Sequence, residues 1–179
     1  MTQDTSLWLG KPAPRYTSYP PATQFVAVTA GAPHVAALRD CAEAVSVYVH
    51  IPFCRELCLY CGCHSIITQR AERVTTYLVA LHREIALLRE ALGRKLPLAH
   101  LHFGGGSPST LLPEQFGALM DELRRSFDFQ DGAELAVELD PRTTSPALVG
   151  KMAAEGVNRV SLGVQDFNPQ VQELIHRIQ

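Results

Sequence analysis

Four times after position 45, a short β-branched run gives way to a stretch of helical periodicity, and this alternation limits the possible folds most tightly. Val45-Ser-Val-Tyr-Val-His-Ile51 is β-branched and aromatic, the composition of a strand. Val74, Leu78, Leu81, Ile85, Leu88 and Leu92 then recur at steps of three and four until Gly93 ends them, which predicts a long helix. A second strand is expected over Leu98–Phe103, a helix opening on its proline over Pro113–Phe127, and a third strand over Glu134–Leu139. Ser145 and Pro146 supply a cap and a first-turn proline for a helix closing near Gly156. Val157–Val164 predicts a fourth strand, and Asn168-Pro169 the start of a fourth helix running to the end of the sequence. Short links between alternating strands and helices imply an α/β fold whose parallel sheet has right-handed crossovers. The sheet is either open and doubly wound or part of a (β/α) barrel. Periodicity leaves both arrangements open. Each of them places function at the C-terminal ends of the strands.

Residues 1–44 read differently. Pro12, Pro14, Pro20 and Pro21, with Tyr16, Ser18 and Tyr19 between them, cannot make a regular helix or a central strand. They predict an irregular N-terminal arm, with one short helix near Val35–Cys41 and with Tyr16 and Tyr19 packed as a strap. The α/β part begins at residue 45 and continues to residue 179. Its last helix has no cap or stop signal, and four β/α units do not close an eight-stranded barrel. The sequence therefore reads as the N-terminal part of a longer barrel, truncated before closure, and is expected not to turn over substrate by itself.

Composition removes several classes of function. Hydrophobic residues make up 46% and charged residues 19%, which is a globular rather than a disordered balance. A net charge of −2 without runs of Lys or Arg points to neither nucleic acid nor an anionic membrane. No targeting segment and no apolar stretch approaching the roughly 18 residues of a membrane span is present. A cytoplasmic protein is expected.

Four of the five cysteines crowd into one loop after the first strand, Cys54-Arg-Glu-Leu-Cys58-Leu-Tyr-Cys61-Gly-Cys63-His64. An odd count in so tight a cluster argues against a disulfide framework. Cys41 stands apart and reads as a small buried hydrophobe. Structural zinc wants four ligands, usually from two separated pairs, and no second pair is apparent, although His50 and His64 could be recruited. An iron–sulfur cluster accepts thiolates from a single loop, because each iron takes its own sulfur. C-x3-C-x2-C then supplies three thiolates and leaves one iron open for a bidentate amino acid. Gly104-Gly-Gly106 after the second strand is by itself a turn signal, and it lacks the Lys and Ser/Thr of a phosphate loop. His50 and His102, on strands, read as satisfied structural histidines. Glu138 reads as part of a solvated strand face.

Tyr48-Val-His-Ile-Pro-Phe-Cys54-x3-Cys58-x2-Cys61-x-Cys63 resembles the cluster loop of radical S-adenosylmethionine (SAM) enzymes. More narrowly it is similar to the oxygen-independent coproporphyrinogen III oxidase (dehydrogenase) family. Pro14-Arg-Tyr-Thr-Ser-Tyr-Pro20, His102-Phe-Gly-Gly-Gly-Ser-Pro108, Glu138-Leu-Asp-Pro141 and Ser161-Leu-Gly-Val-Gln-Asp-Phe167 extend the resemblance over most of the chain. The resemblance implies the first four β/α units of a radical SAM barrel. It implies a [4Fe–4S] cluster on Cys54, Cys58 and Cys61, with Cys63 an additional cysteine that is not a ligand. Tyr48 and Glu138 would contact cluster-bound SAM, the backbone around Tyr60 its adenine, and Gly105, Gly106 and Ser107 the same ligand. Gln165 and Arg177 would hold a second SAM molecule, and no catalytic residue is implied beyond these cofactor contacts. Leu59 and His176 depart from the family pattern without removing a ligand.

The implied reaction is oxidative decarboxylation of two propionates of coproporphyrinogen III to vinyl groups, giving protoporphyrinogen IX in anaerobic haem biosynthesis. An electron donor of unknown identity is needed, and the full-length protein is expected to be a monomer. The nearest alternative is the radical SAM haem chaperone, a haem-binding protein. Cys63, the Pro14–Pro20 arm and Gln165-Asp166-Phe167 favour the oxidase. A small zinc-binding interaction module is the third reading.

Overall fold

A computed structural model of the chain describes residues 21–27 and 31–179. The arm motif Pro14–Pro20, with Tyr16 and Tyr19, lies outside the described residues. Two compact units divide between His34 and Val35. In the first, a 3-10 turn covers Ala22–Gln24. Helix α1 spans Ala32–Asp40, close to the short helix expected there.

The second unit is built on one parallel sheet. Its strands are β1 (Val45–Ile51), β4 (Leu96–Gly105), β5 (Phe127–Leu139) and β6 (Arg159–Leu162), and they lie in the order β1-β4-β5-β6. All three pairings are parallel. A doubly wound sheet reverses direction at a switch point, whereas here the four strands of the sheet lie side by side in their order along the chain. The winding runs one way, as in a (β/α) barrel, and this settles the alternative that periodicity left open. A second, two-stranded parallel sheet joins β2 (Phe53–Cys54) to β3 (Ile66–Ile67), and nothing in the hydrophobic pattern announced it.

The crossovers are α2 (Ala71–Leu92), α3 (Pro113–Ser126) and α4 (Pro146–Ala154), with α5 (Pro169–Leu174) after β6. Gly93 ends α2 in the left-handed conformation, its N–H donating to Arg89 O. Ser145 caps α4 by accepting the Leu148 N–H at 3.2 Å, as its position predicts. Odd positions of β1 (Val49, Ile51) pack with Leu101 and Phe103 of β4 and with Leu135, Val137 and Leu139 of β5. Together they meet Leu78 of α2, Phe116 and Met120 of α3 and Leu148 of α4. Phe103 and Phe116 are both fully buried, with ring centroids 5.1 Å apart.

The opposite face is polar. Ser46, Tyr48, His50, His100, His102 and Glu138 alternate with the core residues along the same strands.

Several boundaries differ from the sequence reading. Phe127 begins β5 rather than ending α3, because Phe127–Phe129 continues the ladder opposite Leu96–Leu98. Between Phe129 and Glu134 the partner strand advances only from Leu98 to His100, so β5 bulges, with Gly132 at φ +77°. The last helix does not run to the end of the sequence. It stops at Leu174, and His176 takes φ +53°, which turns the chain. Cys41 is half-exposed, its thiol facing the Glu43 carbonyl at 3.5 Å, so it is not a core residue. Among the described residues no helix is long and apolar enough to cross a membrane.

Candidate functional site

The cysteine loop leaves β1 through Pro52 and is tied down at both ends. Thr68 N–H donates to Cys54 O at 2.9 Å, and Ser107 N–H donates to Phe53 O at 2.8 Å. Gly106 N–H donates to Ile51 O at 2.9 Å. The glycines make this approach possible: a Cβ on Gly106 would lie 2.7 Å from Phe53 O, and one on Gly105 would lie 2.8 Å from the His50 ring. Below the loop, Tyr77 of α2 donates its hydroxyl to His50 O and sets its ring edge-on to Phe53 at 5.5 Å. Within the loop, Cys61 N–H donates to Cys58 O at 3.0 Å, and Leu59 N–H reaches Ile175 O at 3.0 Å.

A cavity of about 290 Å³ opens at the C-terminal ends of the strands. Cys54, Cys58, Cys61, Tyr60, Gly105, Gly106, Ser107, Glu138, Gln165 and Arg177 all line it, together with Cys63 and Arg142. Ten of the eleven residues singled out from the sequence thus converge on one space. The eleventh, Tyr48, lies beside it on β1, with its ring stacked on His102 at 5.7 Å and its hydroxyl 3.2 Å from His50 Nδ1. His102 Nε2 in turn lies 3.0 Å from Glu138 Oε1. Burial first, then the negative charges of Glu138 and Cys63, raise the Tyr48 phenol above its ordinary value and keep it protonated.

Among the described residues, no three His, Cys, Asp or Glu side chains gather around a point suited to one metal ion. Cys54, Cys58 and Cys61 all line the cavity wall, and an iron–sulfur cluster takes one thiolate for each ligated iron. Their proximity is unfavourable without a cation. Burial, reinforced by Cys61, Cys58, Asp140 and Cys63, pushes the Cys54 thiol up to about 11. Bound iron would reverse that balance, because a coordinating thiol is deprotonated outright. The donor set therefore fits an iron–sulfur group.

Two residues take conformations that the sequence does not advertise. Gln165 has φ +75°, unusual for a side chain without special local bonding, and this holds it at the cavity rim. The turn at His176 sends Arg177 inward rather than leaving it exposed on a helix. Its guanidinium is buried, donating from Nε to Gly163 O at 3.0 Å and lying 3.2 Å from Asp140 Oδ2 and 3.4 Å from Cys58 Sγ. Sequence reasoning missed Arg142, which grips Asp140 and reaches the same sulfur. An Asp followed two positions later by a residue whose N–H it accepts is a turn signal that could have drawn attention to it.

The sequence model of the Radical SAM superfamily matches residues 48–179, the stretch that holds this sheet and cavity. The chain belongs to the radical SAM superfamily, and membership implies a mechanism dependent on iron–sulfur and SAM chemistry. Among curated proteins it is 46% identical over 168 residues to the oxygen-independent coproporphyrinogen III oxidase of Bradyrhizobium diazoefficiens, covering 93% of this chain and 37% of that protein. The corresponding enzyme of Pseudomonas aeruginosa is 43% identical over 171 residues, with the same shares of each chain covered. A solved structure, coproporphyrinogen III oxidase from Escherichia coli, described as a radical SAM enzyme, superposes with a TM-score of 0.82 at 42% identity. The match covers 92% of this chain and 38% of that one. The chain thus spans a little over a third of the length of these relatives.

Proposed function

We propose that this chain forms the cofactor-binding part of an oxygen-independent coproporphyrinogen III oxidase, which converts two propionates of coproporphyrinogen III to vinyl groups. The observation that carries this reading is the single cavity shared by Cys54, Cys58, Cys61, the Gly105–Ser107 segment, Glu138 and Gln165. Cys54, Cys58 and Cys61 would hold a [4Fe–4S] cluster. The bound cofactors supply one-electron cleavage of the SAM sulfonium and hydrogen abstraction from the substrate propionate.

The chain's own residues bind and orient. Glu138, fixed by His102, offers its free oxygen to a SAM ammonium or ribose hydroxyl beside Gly104. Tyr48, kept protonated, presents a phenolic hydroxyl on the same face. The close backbone approach at Gly105 and Gly106 leaves room for the ligand over Ser107 and the backbone around Tyr60. Gln165 and Arg177, which line the same cavity, would hold a second SAM molecule. Residues 45–179 make up the barrel portion and residues 1–44 the N-terminal arm. The electron donor is a separate redox partner, the full-length protein works as a monomer in the cytoplasm, and the present chain by itself does not turn over substrate.

Anaerobic reconstitution with iron and sulfide, followed by iron analysis and EPR of the reduced chain, tests the reading. About four irons per chain are expected, with a signal that shifts on adding SAM and is lost in Cys54→Ala. Bound zinc without iron-cluster EPR would refute it. Steady conversion of coproporphyrinogen III by this chain would refute the statement that it is inactive alone.

A further inference from the structure

The thiols of Cys58 and Cys61 have different surroundings. Cys58 is buried, and two guanidinium groups converge on its sulfur, Arg142 Nη2 at 3.7 Å and Arg177 Nη1 at 3.4 Å. Cys61 Sγ receives the weaker backbone N–H of Cys63 at 3.5 Å. Arg142 is not free to swing away. Its Nε lies 3.1 Å from Asp140 Oδ1, its Nη2 2.8 Å from Asp140 Oδ2, and its Nη1 3.3 Å from Glu56 Oε2 within the Cys54–Cys58 turn. Asp140 also accepts the Arg142 backbone N–H at 3.0 Å. One part-buried carboxylate thus orients two arginines, and each turns a guanidinium N–H on the same sulfur.

We propose that Arg142 is a positioning residue for the cluster: locked by Asp140, it donates a charge-assisted hydrogen bond to the Cys58 sulfur and makes the cluster easier to reduce. The inference rests on the cluster reading above. Hydrogen bonds to cluster sulfurs, together with nearby charge, set the reduction potential of iron–sulfur groups. A guanidinium suits the task because its planar fork reaches the carboxylate and the sulfur together, which a lysine ammonium cannot do. Glu56 and Asp140 at the two ends of the fork hold the turn against the end of β5.

The test reconstitutes the wild-type chain, Arg142→Gln, Arg142→Lys and, as a charge control at the opposite end of β4, Lys95→Gln. Iron content and EPR establish the cluster in each, and an EPR-monitored redox titration reads its potential. In Arg142→Gln the equilibrium is expected to favour the oxidised cluster about tenfold, a shift of about −59 mV for a one-electron couple, with Arg142→Lys in between and Lys95→Gln unchanged. Equal potentials in Arg142→Gln and wild type, both fully loaded, would overturn the inference and leave the cluster reading intact. A wild-type chain that takes up no iron would overturn the cluster reading itself. If Arg142→Gln does not hold iron, Arg142→Lys decides: a lowered potential supports the role, and an unchanged one removes it.

Discussion

The Nε2 of His50 lies 2.9 Å from the carbonyl oxygen of His64, on the far side of the cysteine loop. A carbonyl only accepts, so this nitrogen carries the ring proton, and in the neutral ring Nδ1 accepts from the Tyr48 hydroxyl 3.2 Å away. The loop thereby sets the tautomer of His50, and the tautomer sets the direction of the Tyr48 O–H. In the histidine-labelled chain, heteronuclear NMR should show His50 predominantly as the Nε2–H form when the ring is neutral. A predominant Nδ1–H form would contradict the arrangement.

The two glycine positions nearest the cysteines should respond in opposite ways to alanine. At Gly106 the new Cβ meets the Phe53 backbone at 2.7–2.9 Å, and backbone cannot move aside cheaply. Gly106→Ala should lose about 1–3 kcal/mol in denaturant unfolding. At Gly62 the new atom meets nothing within 4 Å, and Gly62→Ala should unfold like the wild type. Equal stability of the two variants would show that the loop is not seated on the end of β4.

Acid stability should depend on Glu155. Burial opposes its ionisation most strongly, yet hydrogen bonds from Lys151 and Arg124 prevail and hold its carboxyl below the ordinary range. A carboxyl that is more acidic when folded stabilises the fold fully above its unfolded value, roughly pH 4.3. That contribution disappears as pH falls through the lower folded value. Glu155→Gln should cost about 1–3 kcal/mol at neutral pH, and its urea unfolding curves should change less than those of wild type on acidification. Parallel pH dependence in the two proteins would rule this out.

Cys61 and Cys63 sit two residues apart and should behave differently on reconstitution. The contact from Cys63 to Cys61 Sγ comes from the Cys63 backbone N–H, which an alanine preserves. Cys63→Ala should bind as much iron as wild type, and Cys61→Ala should bind far less and lose the EPR signal. Equal iron loss in both would make Cys63 a ligand.

The elements were legible in the sequence wherever local chemistry dictates them. Gly93, Ser145 and the proline at the start of each of α3, α4 and α5 mark real helix ends, and the Val45–Ile51 alternation marks a real two-faced strand. Strand order was not legible, because pairing between distant strands leaves no local mark on the chain. The early start of β5 was hidden by a bulge, which breaks the period-two pattern at Gln130–Ala133. In the site, the cysteines announced themselves by spacing, and Glu138 and Gln165 through resemblance alone. The inward course of Arg177 depends on a histidine in a left-handed turn, where glycine would have been the readable choice. Arg142 went unnoticed because its importance lies in three simultaneous partners from two separate loops.

The polar side of the sheet has a consequence for how this protein can vary. In most (β/α) barrels that side is filled by branched aliphatics. Here Ser46, Tyr48, His50, His102 and Glu138 occupy it, and several of them are bonded to one another. Alternate residues of a single strand therefore answer to different demands. Val47, Val49 and Ile51 can exchange for other aliphatics of similar volume, because the helices ask only for shape. Tyr48 and His50 have no such latitude, because each must offer one particular atom. A saturation library across β1 should show tolerance rising and falling with a period of two, scored by stability on one side and by cofactor binding on the other.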